Sequence, residues 1–318
     1  MVGMARARPG LRGNDRQPGY RPRNSDRGRA RTQGHERVAG PSTGQGPLTP
    51  GDIEGEGPQP EELDDLLRLA IELAHDAATH HTERRLGTVD AKSTPTDPVT
   101  DVDRASELAI VAGLEAMRPD DAILGEEGTG RDGSSGFRWV IDPLDGTVNY
   151  VHGLPCHAVA IGVEWNGTPV VGVVYDTGSG ELFTARRGGG ARCNGAALQA
   201  SETGQLPTAL MGTGFPYAPD QRTHHARVIT ELIGRIADIR RSGSCAIDMC
   251  WTAAGRLDAY YETGPMPWDV TAGLVIVAEA GGVARYDPER RRIMASGPAL
   301  WRPLCELVEH AERRAGRT

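Results

Sequence analysis

The chain has 318 residues, 38% of them hydrophobic, 5% aromatic and 25% charged, with a formal net charge of -8. That length buries a sizeable core, as one large domain or two smaller ones. No apolar run reaches the roughly 18 residues that a membrane span needs, which excludes a spanning helix. Five cysteines (Cys156, Cys193, Cys245, Cys250 and Cys305) form no C-x-x-C pair, so the composition argues against a disulfide framework or structural zinc and for a reducing, cytoplasmic compartment.

Charge is unevenly placed. Residues 1–50 hold ten arginines against Asp15, Asp26 and Glu36, a local +7, which leaves about -15 for the rest. Within residues 1–60, Gly and Pro make up a third of the positions, and only five residues are Leu, Ile, Val or Phe. Such a stretch cannot bury enough apolar surface to offset its ordering entropy and is expected to be a disordered Arg/Gly/Pro-rich extension. It lacks the apolar core of a secretory signal. It reads either as a solvated extension or as an arm for RNA or an acidic partner.

Apolar residues Leu63, Leu66, Leu67, Ala70, Leu73, Ala74 and Ala77 recur at helical spacing and predict an amphipathic helix over 61–85. A second helix is expected over 103–117, stopped before Pro119. Strands follow at 137–141, 158–164, 169–175 and 181–185, those within 157–186 forming an antiparallel meander. Helices are then expected near 223–237, 246–255, 270–280 and 300–312, alternating with strands near 208–212, 257–261, 283–286 and 292–295. The pattern is a mixed sheet with covering helices, in halves of 61–186 and 187–318. The pairs His80-His81 and His224-His225 are expected to be exposed, and His152 and His157 to be structural.

The informative segment is WVIDPLDGTVNYVHG at 139–153. An apolar strand runs into Asp142 and Asp145, held three residues apart around a proline turn. Hard divalent cations take such oxygen ligands, and the turn also frees the Leu144 carbonyl. Gly146 and Thr147 open a helical turn whose N-H groups suit an anion. Taken alone, the segment also reads as an Asp-capped turn. Glu126-Glu127 alone reads as a solvated turn, and Asp269 alone as the N-cap of the helix that follows. A further carboxylate cluster, Asp97, Asp101 and Asp103, precedes the second helix.

Five blocks in order carry a resemblance: AKSTPTDPVTDVD at 91–103, ILGEEG at 123–128, the segment at 139–153, GSCAIDMCWTAAGRLDAYYE at 243–262 and PWDVTAGLVIVAEAGG at 267–282. Over residues 61–310 the chain resembles the Mg²⁺-dependent, lithium-sensitive inositol monophosphatase family, above all its bacterial inositol-1-monophosphatase members. The resemblance implies an α+β fold, the five-layer αβαβα sandwich shared with fructose-1,6-bisphosphatase. It implies a first Mg²⁺ on Glu126, Asp142 and the Leu144 carbonyl, a second on Asp142, Asp145 and Asp269, and a third near Glu126 and Glu127. Gly146 and Thr147 would bind phosphate, Asp103 would support Thr147, and Lys92 matches a lysine on a mobile loop.

The implied reaction is in-line attack of water on a phosphate monoester, with Glu126 or Glu127 and Thr147 assisting. Asp145, Ser244, Cys245 and Glu262 would meet the substrate, and Asp248 either lines the same pocket or is buried structurally. Inositol 1-phosphate is the first expected substrate and histidinol phosphate the second; the only nearby basic patch for a bisphosphate is Arg240-Arg241. The resemblance further implies a homodimer without membrane contact. A separate class of function, as an accessory protein of RNA or transcription complexes, would work through residues 1–60.

Overall fold

Residues two apart on a strand face the same way, and burial along this chain follows that rule closely enough to divide it into layers. The computed structural model describes residues 47–48, 57–82, 89–92 and 98–316. Its elements begin with α1 (Pro60–Thr82), β1 (Val89–Ala91), β2 (Pro98–Thr100), α2 (Asp101–Met117), β3 (Ala122–Gly125), β4 (Gly130–Arg131), β5 (Phe137–Asp145) and α3 (Thr147–His152). Next come β6 (Ala158–Trp165), β7 (Thr168–Asp176), β8 (Glu181–Arg186), β9 (Gly190–Cys193), β10 (Ala196–Ala197) and β11 (Leu210–Gly212). The remainder is α4 (Pro219–Ile233), β12 (Asp238–Arg240), α5 (Cys245–Ala253), β13 (Ala259–Thr263), α6 (Pro267–Glu279), β14 (Val283–Asp287), β15 (Arg292–Ser296) and α7 (Pro298–Ala315).

One sheet has eight strands in the order β10-β9-β8-β7-β6-β5-β3-β4; a second has five in the order β12-β11-β13-β15-β14. The expected meander is β6-β7-β8, antiparallel throughout. On β6, Val159, Ile161 and Val163 pack under α1 and α2, whereas Ala158 and Ala160 face α5 and α6. On β13, Tyr260 faces α5 and α6, while Ala259 and Tyr261 face α4 and α7. The layers therefore run helix, sheet, helix, sheet, helix, which is the five-layer α+β sandwich expected from the resemblance.

Several expectations are corrected. Helix α4 starts four residues before the expected 223, because Pro219 supplies a pre-set φ at its first turn, and it stops at Ile233. The first sheet continues past residue 186 through β9 and β10. Most of the expected disordered extension, residues 1–46 and 49–56, lies outside the described residues, as do 83–88 and 93–97. Leu48, however, forms an antiparallel bridge with Ala284 on the edge strand β14, its N-H donating to the Ala284 carbonyl at 2.8 Å. Among the described residues, no helix is long and apolar enough to cross a membrane. His81 and His225 are buried rather than exposed, at 3% and 0% of their accessible surface. Each is the inward member of its pair because a helix turns 100° per residue.

The central helix α6 lies unusually close to the first sheet. Gly162 and Gly172 face each other across β6 and β7. A Cβ on Gly162 would come within 2.5 Å of Thr271 Cγ2, and one on Gly172 within 2.3 Å of the Ala272 carbonyl oxygen. Both contacts are with α6, whose first turn carries Asp269. Gly172→Ala should therefore cost about 1–3 kcal/mol by overpacking, read as a lower denaturant midpoint with an unchanged slope; unchanged stability would show that the helix has room to move.

His225 makes the second fold prediction. Its Nε2 lies 3.1 Å from Thr213 Oγ1, its Nδ1 lies 2.9 Å from Thr263 Oγ1, and its ring stacks on Tyr261. Burial, with a smaller push from His224, lowers its pKa from 6.5 to about 4. The unfolded chain thus binds the extra proton between pH 6.5 and 4, so stability is complete above pH 6.5 and is lost as pH falls through that window. The loss amounts to about 3 kcal/mol for this residue. Unfolding free energies at pH 7.5 and 4.5 should differ less in His225→Gln than in the natural chain, and an identical difference would remove His225 as the cause.

Candidate active site

Residues three apart on a regular strand point to opposite faces. Asp142 and Asp145 do not, because β5 changes register there: Asp142 pairs with Ala160 and Asp145 with Ala158, leaving Pro143 and Leu144 opposite a single residue. This is a β-bulge, and its extra residue turns both carboxylates to one side. Asp269 reaches the same spot from α6. One carboxylate oxygen from each of Asp142, Asp145 and Asp269 lies within 4.8 Å of the others.

Each of these carboxylates is anchored by protein donors. Leu144 N-H donates to Asp142 Oδ1 at 3.0 Å. Ser244 Oγ at 2.6 Å and Ala246 N at 2.7 Å, the N-terminus of α5, donate to Asp145 Oδ2. Met266 N donates to Asp269 Oδ2 at 2.6 Å. Met266 is the N-cap of α6, so Asp269 occupies the third helical position and not the N-cap expected from sequence. It closes the first turn from inside.

Burial, followed by the charges of Glu126 and its neighbours, raises the Asp142 and Asp269 carboxyls well above their ordinary range. Asp145 is pushed up by burial to about 6, although its donors act in the opposite direction. Hydrogen bonds alone therefore do not compensate the cluster. An all-oxygen set that resists ionisation for want of a counter-charge fits a hard divalent cation.

Beside this cluster, Glu126 interacts with the Asp142 side chain. Lys92 Nζ bridges Glu126 at 2.8 Å and Glu127 at 2.6 Å. Burial by itself would lower the lysine's pKa, but the two glutamates more than offset it and hold Lys92 charged. Burial raises Glu127 to about 7 despite Lys92. Thr147 Oγ1 lies 3.1 Å from Asp103 Oδ1 and 3.0 Å from the Leu144 carbonyl. Asp103 is itself fixed by a capping box at the start of α2, where Thr100 N donates to its Oδ2 at 2.8 Å. Asp97 lies outside the described residues, while Asp101 is exposed and pairs with Arg104.

Gly146 has φ 88°, and a Cβ there would meet the Cys156 carbonyl at 2.7 Å. Only glycine turns the chain so sharply into α3. Ser244 is buried and spends its hydroxyl on Asp145 and on capping α5. Cys245 is buried, and burial pushes its thiol well up. Neither is placed as a nucleophile. Glu262 stands half-buried on β13, takes a hydrogen bond from Tyr260, and is raised to about 7 by burial. Asp248 is buried at 1% exposure with Oδ1 unpartnered, beside Ser242 and Glu262. Arg240 is taken up by Asp238, so the basic patch reduces to Arg241.

Sequence reading missed Glu107. Its carboxylate accepts Glu127 N-H at 2.8 Å and Thr129 N-H at 3.0 Å, which shapes the loop carrying Glu126 and Glu127. The available signal was an acidic residue one helical turn after Asp103, on the buried face of α2.

This geometry agrees with what the chain is similar to. Residues 62–311 match the inositol monophosphatase family. The inositol-1-monophosphatase SuhB of Mycobacterium tuberculosis is 44% identical over 204 residues, which is 61% of this chain and 70% of that one. The Nus factor SuhB of Escherichia coli is 43% identical over 189 residues, 59% of this chain and 71% of that one. The solved structure of Mycobacterium tuberculosis SuhB superposes with a TM-score of 0.69 at 37% identity, covering 78% of this chain and 97% of that one. With the family matched from the first long helix into the last, and an acidic cluster where its chemistry requires one, the chain belongs to the inositol monophosphatase family of phosphatases.

Proposed function

We propose that this phosphatase hydrolyses inositol 1-phosphate to inositol and phosphate with two to three Mg²⁺ ions. The observation that carries the reading is the convergence of Asp142, Asp145 and Asp269 within 4.8 Å of one another. Glu126, Asp142 and the Leu144 carbonyl would hold one ion, Asp142, Asp145 and Asp269 a second, and Glu126 with Glu127 a third. Bound there, the ions would supply positive charge to the phosphate, to the entering water and to the leaving oxygen.

The protein's own groups do the rest. Gly146 and Thr147 N-H groups would orient the phosphate at the start of α3. Thr147, with its hydroxyl proton directed to Asp103, offers a lone pair to the attacking water. Glu126 or Glu127, held beside the cluster by Lys92, would take that water's proton. Direct attack is supported by the engagement of Ser244 with Asp145 and by the raised Cys245 thiol, which leave no activated nucleophile beside the phosphate site among the described residues.

Glu262 would read the alcohol half through its carboxylate. Polyol hydroxyls suit it, and so does the ammonium of an amino alcohol such as histidinol phosphate; the inositol-1-monophosphatase relative favours the polyol. A homodimer, on resemblance, and a cytoplasmic location, on the scattered cysteines, complete the reading. The relative named as a Nus factor, together with the arginines of residues 1–50, supports a second reading in which the N-terminal arm contacts nucleic acid.

Asp142→Asn should lower kcat more than about a hundredfold while the fold survives; retention of a tenth of the activity, a loss of only about 1.4 kcal/mol, would refute the shared-ligand assignment. Exhaustive chelation should abolish turnover, and added Li⁺ should inhibit it.

For the substrate, kcat/KM on inositol 1-phosphate should exceed that on histidinol phosphate, and Glu262→Gln should narrow the gap. The reverse order would make the amino alcohol the substrate. Deletion of residues 1–60 should leave phosphatase activity intact while removing any salt-sensitive RNA binding.

A further inference from the structure

Behind the acidic cluster, on the side away from α5 and α6, a chain of hydrogen bonds links three separate elements. His81, in the last turn of α1, places Nε2 2.9 Å from the Pro143 carbonyl oxygen and Nδ1 3.1 Å from Thr177 Oγ1. Thr177 Oγ1 lies 2.7 Å from Nδ1 of His157. Tyr150 OH donates to the His81 carbonyl at 3.2 Å and packs its ring against both imidazoles.

The directions of these bonds follow from the partners. A carbonyl only accepts, so His81 Nε2 carries the proton. Burial lowers the His81 pKa to about 4, which leaves the ring neutral with Nδ1 as an acceptor. Thr177 Oγ1, which also lies 3.2 Å from the His157 carbonyl, is thus placed to donate to His81 Nδ1 and to accept from His157 Nδ1-H.

The line ends on a particular peptide group. The Pro143 carbonyl and the Leu144 N-H belong to the same planar trans peptide and point in opposite directions. His81 grips the carbonyl end, and the N-H end holds Asp142 Oδ1 at 3.0 Å. A rotation of that plane would break both bonds together. The histidine and the carboxylate are thus coupled through one rigid unit, at the bulge that brings Asp142 and Asp145 to a common side.

Close packing brings Thr177 there. The β7–β8 turn is capped by Asp176, which accepts from Gly178 N-H and Ser179 N-H. A Cβ on Gly178 would lie 1.7 Å from the Pro155 carbonyl oxygen. The missing side chain lets the turn seat against the segment that carries His157.

We propose that His157, Thr177 and His81 form a positioning relay that locks the Pro143–Leu144 peptide and so sets how tightly the acidic cluster holds a divalent cation. None of the three is among the residues that would hold the cation or the substrate. The inference rests on the metal-dependent reading above and adds three residues that the family blocks do not point to as functional.

The test measures Mn²⁺ binding by the loss of free-ion EPR signal, with melting temperature and steady-state kinetics alongside. Thr177→Val removes the central hydroxyl, His81→Phe removes both ring nitrogens, and His81→Gln restores an N-H for the carbonyl. Thr177→Val and His81→Phe should each weaken Mn²⁺ binding about tenfold, the low end of what losing the support behind a metal ligand costs. His81→Gln should recover most of that loss. KM at saturating metal should stay within about twofold of the natural chain, because the phosphate donors lie outside the relay.

A lowered melting temperature with unchanged Mn²⁺ affinity in Thr177→Val and His81→Phe would reduce the relay to a structural feature and overturn the proposal. Should His81→Phe not fold, Thr177→Val decides the matter by itself. If the natural chain itself neither binds Mn²⁺ nor hydrolyses phosphate esters, the phosphatase reading fails first and takes this inference with it. Normal binding by the natural chain and by every variant would overturn the relay alone.

Discussion

Buried carboxylates repel one another, and the rest of this structure is arranged around holding several of them together. Asp142, Asp145 and Asp269 present oxygens within 4.8 Å of each other, with Glu126 and Glu127 alongside. Isolated ionised carboxylates in an apolar interior are unsustainable. Two compensations operate here. The first is the supply of backbone N-H groups from helix starts: the first turn of α5 holds Asp145, that of α6 closes on Asp269, and the capping box of α2 holds Asp103. Such N-H groups are unpaired by helix geometry and carry partial positive charge. The second is a cation. Lys92 supplies one at Glu126 and Glu127.

The layered fold is what delivers those helix starts to one place. Without the register shift in β5, Asp142 and Asp145 would face opposite layers. Without the glycine pair on β6 and β7, α6 would sit farther from the sheet and carry Asp269 with it. The bulge and the glycines cost regular pairing and side-chain packing in the middle of the best-buried sheet. Their placement next to the acidic cluster shows what that cost supports.

Support also reaches the cluster from residues that make no direct claim on substrate. Glu107 shapes the loop of Glu126 and Glu127 through two backbone N-H groups, and the His81 line holds the peptide that anchors Asp142. These residues lie on the two helices that cover the outer face of the first sheet. That outer layer therefore does more than shield apolar strands, since it also fixes the backbone from which the site's carboxylates project.

Much was legible beforehand, for identifiable reasons. Strong 3.6-residue periodicity located α1, the stop before Pro119 marked the end of α2, and alternation with turn residues located the β6-β7-β8 meander. The motif residues Asp142, Asp145 and Asp269 were visible through the five blocks that carry the family resemblance, since each alone reads as a capped turn or an N-cap. What escaped were features without a local signature. His81 and Thr177 look ordinary in sequence, and the pair His80-His81 reads as a polar helix end. The burial of His81 is decided by where α1 lands on the first sheet. Asp269 was assigned to the N-cap because local propensity does not resolve one turn of a helix, whereas Met266 N-H does. By itself, then, the amino-acid order determined which elements form and which side chains carry oxygen donors, since both follow from short-range periodicity and residue chemistry. Only the tertiary structure decided that donors from β5, α5 and α6 share one centre and which neighbours hold them there, because those relations depend on contacts between residues up to a hundred or more positions apart.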